Sequence, residues 1–174
     1  MHYSLPKLRI CQVFLKSFRS PTYAALIVVL TCQALPLHAA PQIETQSLFE
    51  QGLRYYKQSD YTEARSLFER LVRLAPGVSG YYHWLGKCYG RLAEKSGWID
   101  AISFSKKTLK ALKKAVELDN ENIPALKDLM TYYREAPVFL GGSSKKAQII
   151  AERLQKLQDE GIPESVTEVS GNVN

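Results

Sequence analysis

The sequence predicts an all-α fold of about three helical hairpins. Three observations predict it. Apolar residues recur at helical spacing in six segments between residues 43 and 158, the pattern of amphipathic helices that each bury one side. Cap and turn residues separate those segments at short intervals. No segment sustains the alternation of apolar and polar residues that a half-buried strand needs, so no sheet is expected.

The first helix is read over 43–58, with Leu48, Gly52, Tyr55 and Tyr56 at helical spacing. Ser59-Asp60 breaks it and offers an N-cap for a second helix over 61–74, whose apolar face is Ala64, Leu67, Phe68, Leu71 and Leu74. Pro76-Gly77 ends that helix. A third covers about 80–95, a fourth 98–118, a fifth 124–135 and a sixth 144–158. Pro124 suits the first turn of the fifth helix, where its missing N–H would have no partner. The tail from Glu160 to Asn174 is polar, with Gly161, Pro163 and Gly171, and is expected to be loose.

These elements repeat. Gly52, Tyr55, Ala64, Phe68 and Pro76 return in part as Leu85, Gly86 and Tyr89, and again as Leu129, Tyr133 and Ala147. In this spacing residues 45–78 resemble one tetratricopeptide repeat of the usual length. Gly52 and Ala64 would let paired helices approach, and Phe68 would fill the gap between hairpins. A second unit begins at Ser79 and ends in Ala111-Leu-Lys-Lys-Ala-Val-Glu-Leu-Asp-Asn120, with Asn120 where the repeat usually has Pro. It is longer by about ten residues, which places the extra length at the start of its second helix. A third unit starts at Ile123, with Met130 in place of the small Gly, which would hold that pair wider apart. The insert Ala136-Pro-Val-Phe-Leu-Gly-Gly142 then precedes the last helix. The whole arrangement resembles exported bacterial tetratricopeptide proteins of unassigned activity. What the resemblance implies is a short α-solenoid, a right-handed superhelix, that binds a protein or peptide partner.

The chain has 174 residues and a formal charge of +6, enough for one modest domain. Four of the basic residues, Lys7, Arg9, Lys16 and Arg19, lie in residues 1–40, which contain no Asp or Glu. The remainder carries 19 basic against 17 acidic residues, close to neutral. A strong electrostatic case for nucleic acid is therefore missing. Residues 1–40 themselves read as a targeting segment. A basic stretch precedes the apolar run Tyr23–Cys32, which is too short to span a bilayer comfortably, and small residues follow at Ala39 and Ala40. The expectation is an exported, periplasmic or secreted protein. The alternative is a chain anchored by an uncleaved N-terminal segment, which is also the expected route to a membrane.

Cys11 and Cys32 fall in that segment, leaving Cys88 alone in the helical region as a buried small apolar residue. His83 is the only His outside residues 1–40, so a His-based triad or His-rich metal site has one His at most. No catalytic residue, metal ligand or cofactor is expected, and the reading is a non-enzymatic scaffold. Stable arrays usually want three or more repeats with capped ends, and this chain has two sound repeats and one degraded. A homo-oligomer formed through an open repeat end is therefore the second reading.

The resemblance also implies where a partner would lie, since the first helices of successive hairpins line a concave groove. Its groove positions here are Gln46, Phe49, Leu53, Tyr56 and Lys57 in the first unit, His83, Lys87, Gly90 and Arg91 in the second, and Lys127, Thr131 and Arg134 in the third. Lys87 and Arg91 stack on one helix face, with His83 one turn before. The sharper expectation is a groove for an anionic peptide segment, floored by Phe49 and Tyr56. The plainer one is a solvated face whose basic residues are neutralised by Glu50, Asp128 and Glu135. The run Lys106, Lys107, Lys110, Lys113 and Lys114 is read as a solvated helix face, with an anionic membrane or an acidic protein as the alternative contact. Gly141-Gly142 reads as a tight turn before a Ser143 or Ser144 N-cap. Val138-Phe139-Leu140 is expected to tuck over the last hairpin, with partner docking as the alternative. Trp84 and Trp98 are expected to be packing residues.

Overall fold

The computed structural model describes the backbone of residues 39–161, with side chains from Glu44 onward. The expected targeting segment up to residue 38, and the tail beyond Gly161, lie outside the described residues. Six α-helices follow one another: α1 (Ala39–Lys57), α2 (Tyr61–Leu74), α3 (Ser79–Lys95), α4 (Trp98–Leu118), α5 (Ile123–Glu135) and α6 (Ser144–Asp159). A single 3-10 turn, Val138–Leu140, stands between α5 and α6. No strand occurs among the described residues.

Local chemistry sets the boundaries. Ser59 adopts a left-handed backbone, φ 63°, and the next residue caps α2: the Asp60 carboxylate accepts from the Glu63 N–H at 3.2 Å. Asn122 caps α5 by accepting from the Ala125 N–H at 2.9 Å, with Pro124 in the first turn. The Ser143 hydroxyl caps α6. Helix α1 begins four residues before the expected start, and Pro41 sits in its first turn, where a helical N–H has no intrahelical acceptor to lose. The lengthened second hairpin is present: α4 has 21 residues against 14 in α2, and Gly97 precedes its first turn.

Pairing within hairpins depends on two glycines. A Cβ on Gly52 would stand 2.9 Å from Phe68 Cζ, and one on Gly86 would stand 2.9 Å from Leu112 Cδ2. Each absence lets a large partner side chain sit directly on the helix backbone. Phe68, Leu71 and Ala64 are fully buried on α2. The Phe68 ring then stacks on Trp84 of α3 at 6.1 Å and 12°, so the same side chain joins the first hairpin to the second. Ile123, Leu126, Leu154 and Leu157 form the separate cluster that holds α5 on α6.

Two expectations on packing are corrected. Trp98 is 76% exposed rather than packed, because it occupies the first position of α4, before that helix meets its neighbours. Val138 and Phe139 are 86% and 72% exposed and do not tuck over the last hairpin. The connection that carries them is instead fixed through its backbone and its glycines. Gly142 N–H donates to the Pro137 carbonyl, and Ser143 N–H to that of Tyr133. A Cβ on Gly142 would fall 1.7 Å from the Ala136 carbonyl oxygen, and Gly141 has φ 99°. The Leu140 carbonyl accepts from the Tyr132 hydroxyl at 3.0 Å.

Candidate functional site

The first helices of the three hairpins, α1, α3 and α5, are tied side by side. Phe49 meets Tyr81 (ring centroids 5.6 Å apart), Tyr56 meets Trp84 (5.2 Å), and His83 meets Asp128. Along this face the best-defined grouping is aromatic and basic. The Lys87 ammonium sits 4.4 Å from the Trp84 ring centroid and 5.8 Å from that of Tyr56. Such placement attracts the cation to the negative ring faces. Arg91, one turn further along α3, donates from Nε to the Tyr56 hydroxyl at 3.4 Å and from its terminal nitrogen to Glu94 at 2.9 Å. Tyr61 packs against Tyr56 at 5.1 Å and carries Lys95 over its own ring at 4.6 Å.

The electrostatics follow from that geometry. Burial raises the Tyr56 pKa above its ordinary value, and the Arg91 hydrogen bond works in the opposite direction. The Arg91 guanidinium is held in its charged form chiefly by the Tyr56 hydroxyl and then by Glu94. Tyr56 therefore stays neutral, and the grouping presents the Lys87 ammonium on aromatic faces, with the Arg91 guanidinium at the Tyr56 hydroxyl and paired with Glu94.

The predicted groove residues divide. Tyr56, Lys87 and Arg91 come together. Lys57 is exposed near the end of α1, and Thr131 and Arg134 lie on α5, with the Arg134 guanidinium 3.7 Å from Glu135. Lys127 is partly buried on α5. Phe49 is not an open floor: it is 7% exposed, edge-on to Phe68 at 5.9 Å and covered by Tyr81. His83 is likewise taken into the interior at 6% exposure, with Nε2 2.7 Å from Asp128 Oδ2. That pairing assigns the proton to Nε2, and it joins α3 to α5. In both cases a side chain of the neighbouring first helix closes the position, Tyr81 over Phe49 and Asp128 on His83.

Trp84 is a residue that the sequence did not place in the site, and Asp128, read there as neutralising basic neighbours, is instead the partner of His83. Trp84 stands three before Lys87, the spacing at which helical side chains meet, so its signal was present. The pairing of Asp128 with His83 had no such signal, because the two lie 45 positions apart.

Cys88 is fully buried, and burial pushes its thiol up to about 12. Among the described residues no group of three or more His, Cys, Asp or Glu is placed to hold a metal ion.

With this geometry in place, comparison with known families is decisive for one segment. The tetratricopeptide repeat family model matches residues 45–78. The chain carries a tetratricopeptide repeat. The matched segment is the first hairpin, α1 and α2, with the turn that follows, and the described residues after it continue as helices. Among solved structures, the TPR domain of Arabidopsis OM64 aligns with 67% of this chain and 98% of its own, at 18% identity and a TM-score of 0.43. No match is found among curated proteins. A tetratricopeptide repeat supports a protein-interaction scaffold in general.

Proposed function

We propose that this protein is a non-enzymatic scaffold that binds an anionic segment of a protein or peptide partner across α1 and α3. The observation that carries the reading is the seating of the Lys87 ammonium over Trp84 and Tyr56, with Arg91 beside it. The Lys87 ammonium on its aromatic faces, with the Arg91 guanidinium beside it, offers charge-assisted hydrogen bonds to a carboxylate, and the rings offer flat apolar contact to the neighbouring residues. Each such bond contributes about 1.5–3 kcal/mol when desolvated. The basic, acid-free residues 1–40 and their apolar run support export as the setting in which this scaffold works.

The test is a panel of acidic and neutral peptides titrated against the full chain and against Lys87→Glu/Arg91→Glu. Preferential binding of acidic peptides by the native chain, lost in the double variant, supports the reading. Equal binding by both proteins overturns it.

A further inference from the structure

The geometry points to a second surface: the outer side of α4 and the Val138–Phe139 turn form a docking face for an anionic lipid bilayer. Helix α4 carries Lys106, Lys110 and Lys113 at spacings of four, three and seven, which places them on one stripe. That stripe is opposite the helix's buried residues Thr108, Ala111, Leu112 and Ala115. None of the three lysines makes a hydrogen bond or ion pair among the described residues, whereas Lys114 beside them is taken by Glu117 at 2.8 Å. Ile99, 66% exposed, stands seven residues before Lys106 and so heads the same stripe.

The apolar turn is held against this helix. Tyr132 directs its hydroxyl to both the Ser105 and Leu140 carbonyls at 3.0 Å, and Gly141 abuts the Leu109 side chain. Trp98, 76% exposed, lies seven residues before Ser105 and therefore on the same side of α4 as that contact. Exposed Trp98, Ile99, Val138 and Phe139 thus border unpaired lysines on one side of the fold.

Charge and apolar character together select the occupant. Unpaired lysines are drawn to the anionic headgroup layer, and Trp, Phe and aliphatic side chains favour the interface beneath it. The turn is suited to insertion because the Gly142 N–H to Pro137 and Ser143 N–H to Tyr133 carbonyl bonds hold its backbone before any partner arrives. This face does not depend on the peptide-binding reading, since it uses none of the residues of the Tyr56–Lys87 grouping.

The test uses the full chain, so that residues 1–40 are the same in every protein compared. Partition to vesicles of phosphatidylcholine with phosphatidylglycerol, and to phosphatidylcholine alone, is measured by sedimentation for the native chain, for Lys106→Glu/Lys110→Glu/Lys113→Glu and for Val138→Ser/Phe139→Ser. Expected is a preference for the anionic vesicles that falls with salt. Charge reversal should weaken that partition at least tenfold, since one lysine near such a surface contributes about fivefold. The turn variant should also bind more weakly, with its helical circular dichroism unchanged. Brominated acyl chains should quench native fluorescence more than that of Trp98→Phe. Partition of both variants within about twofold of the native chain, where each lysine alone is worth fivefold, overturns the proposal. A native dimer that the turn variant converts to a monomer, with vesicle binding unchanged, identifies the face as a contact between copies and also overturns it. So does binding of poly-glutamate through these lysines with no binding to either vesicle.

Discussion

The side-chain amide of Asn122 donates to the hydroxyl of Ser79 at 2.9 Å, across 43 positions of chain. Ser79 passes the bond on to the Ala115 carbonyl at 2.8 Å, while the Asn122 oxygen caps α5. Asn122 is 1% exposed, so each of these polar atoms is satisfied away from water. Three helices, α3, α4 and α5, meet at this chain of bonds. Asn122→Ala should destabilise the fold by about 2–3 kcal/mol, a lost cap plus a lost buried bond. Ser79→Ala should cost about 1–2 kcal/mol. The double variant should cost less than the sum, because the two share a bond. Urea denaturation of the three variants measures this.

Glycine substitutions should rank by what the new Cβ meets. In Gly86→Ala it meets the tip of Leu112, a side chain that can turn away. The gain in helix propensity offsets part of the strain, leaving a loss of about 1–2 kcal/mol. In Gly142→Ala it meets a backbone carbonyl oxygen at 1.7 Å, so the α5–α6 connection itself must shift. The expected loss exceeds about 3 kcal/mol. Thermal midpoints of the two variants should fall in that order.

Trp84 and Lys87 should separate stability from binding. Trp84→Ala removes the stack on Phe68 and the edge contact with Tyr56, and should cost about 3 kcal/mol or more. Lys87→Ala removes one cation from an aromatic surface and should change stability by about 1 kcal/mol or less. Denaturant midpoints check the contrast, which makes Lys87 the site at which to probe the peptide reading.

Alkaline pH should destabilise the protein through Cys88 and then through the tyrosines. The Cys88 thiol titrates near 9.0 in the unfolded chain and at about 12 in the fold, chiefly because burial disfavours the thiolate. Between those values the unfolded state releases a proton that the native state keeps, so stability falls as pH rises from about 9 and is unaffected below it. Burial also raises Tyr56, Tyr89, Tyr132 and Tyr133 above 10.0, which extends the decline. Chemical denaturation as a function of pH should show a plateau below about pH 8, and Cys88→Ala should delay the first part of the fall. In the native protein at neutral pH, Cys88 should resist iodoacetamide, as peptide mass spectrometry would read out.

Much of the fold was legible along the chain. The ranges read for α2 and α4 coincide with the structure, α1 differs at both ends, and the others differ by one residue at an end. Local signals carry this: Asp60, Pro124 and Ser143 act within one turn of their own positions. Gly52 and Gly86 were legible for the same reason, since a repeat marks where backbone must come close. The site was legible in part. Tyr56, Lys87 and Arg91 followed from repeat register, but Phe49 and His83 did not stay open, because Tyr81 and Asp128 arrive from neighbouring helices.

The sequence by itself determined the hairpin order, the helix ends and the basic character of α3 and α4, because periodicity, caps and charge are properties of neighbouring residues. Only the tertiary structure decided which of those residues face water. Trp98 and Phe139 are as apolar as Phe68, yet they stand exposed while Phe68 is fully buried. The difference is whether another helix reaches them, and that depends on contacts between residues far apart in the chain.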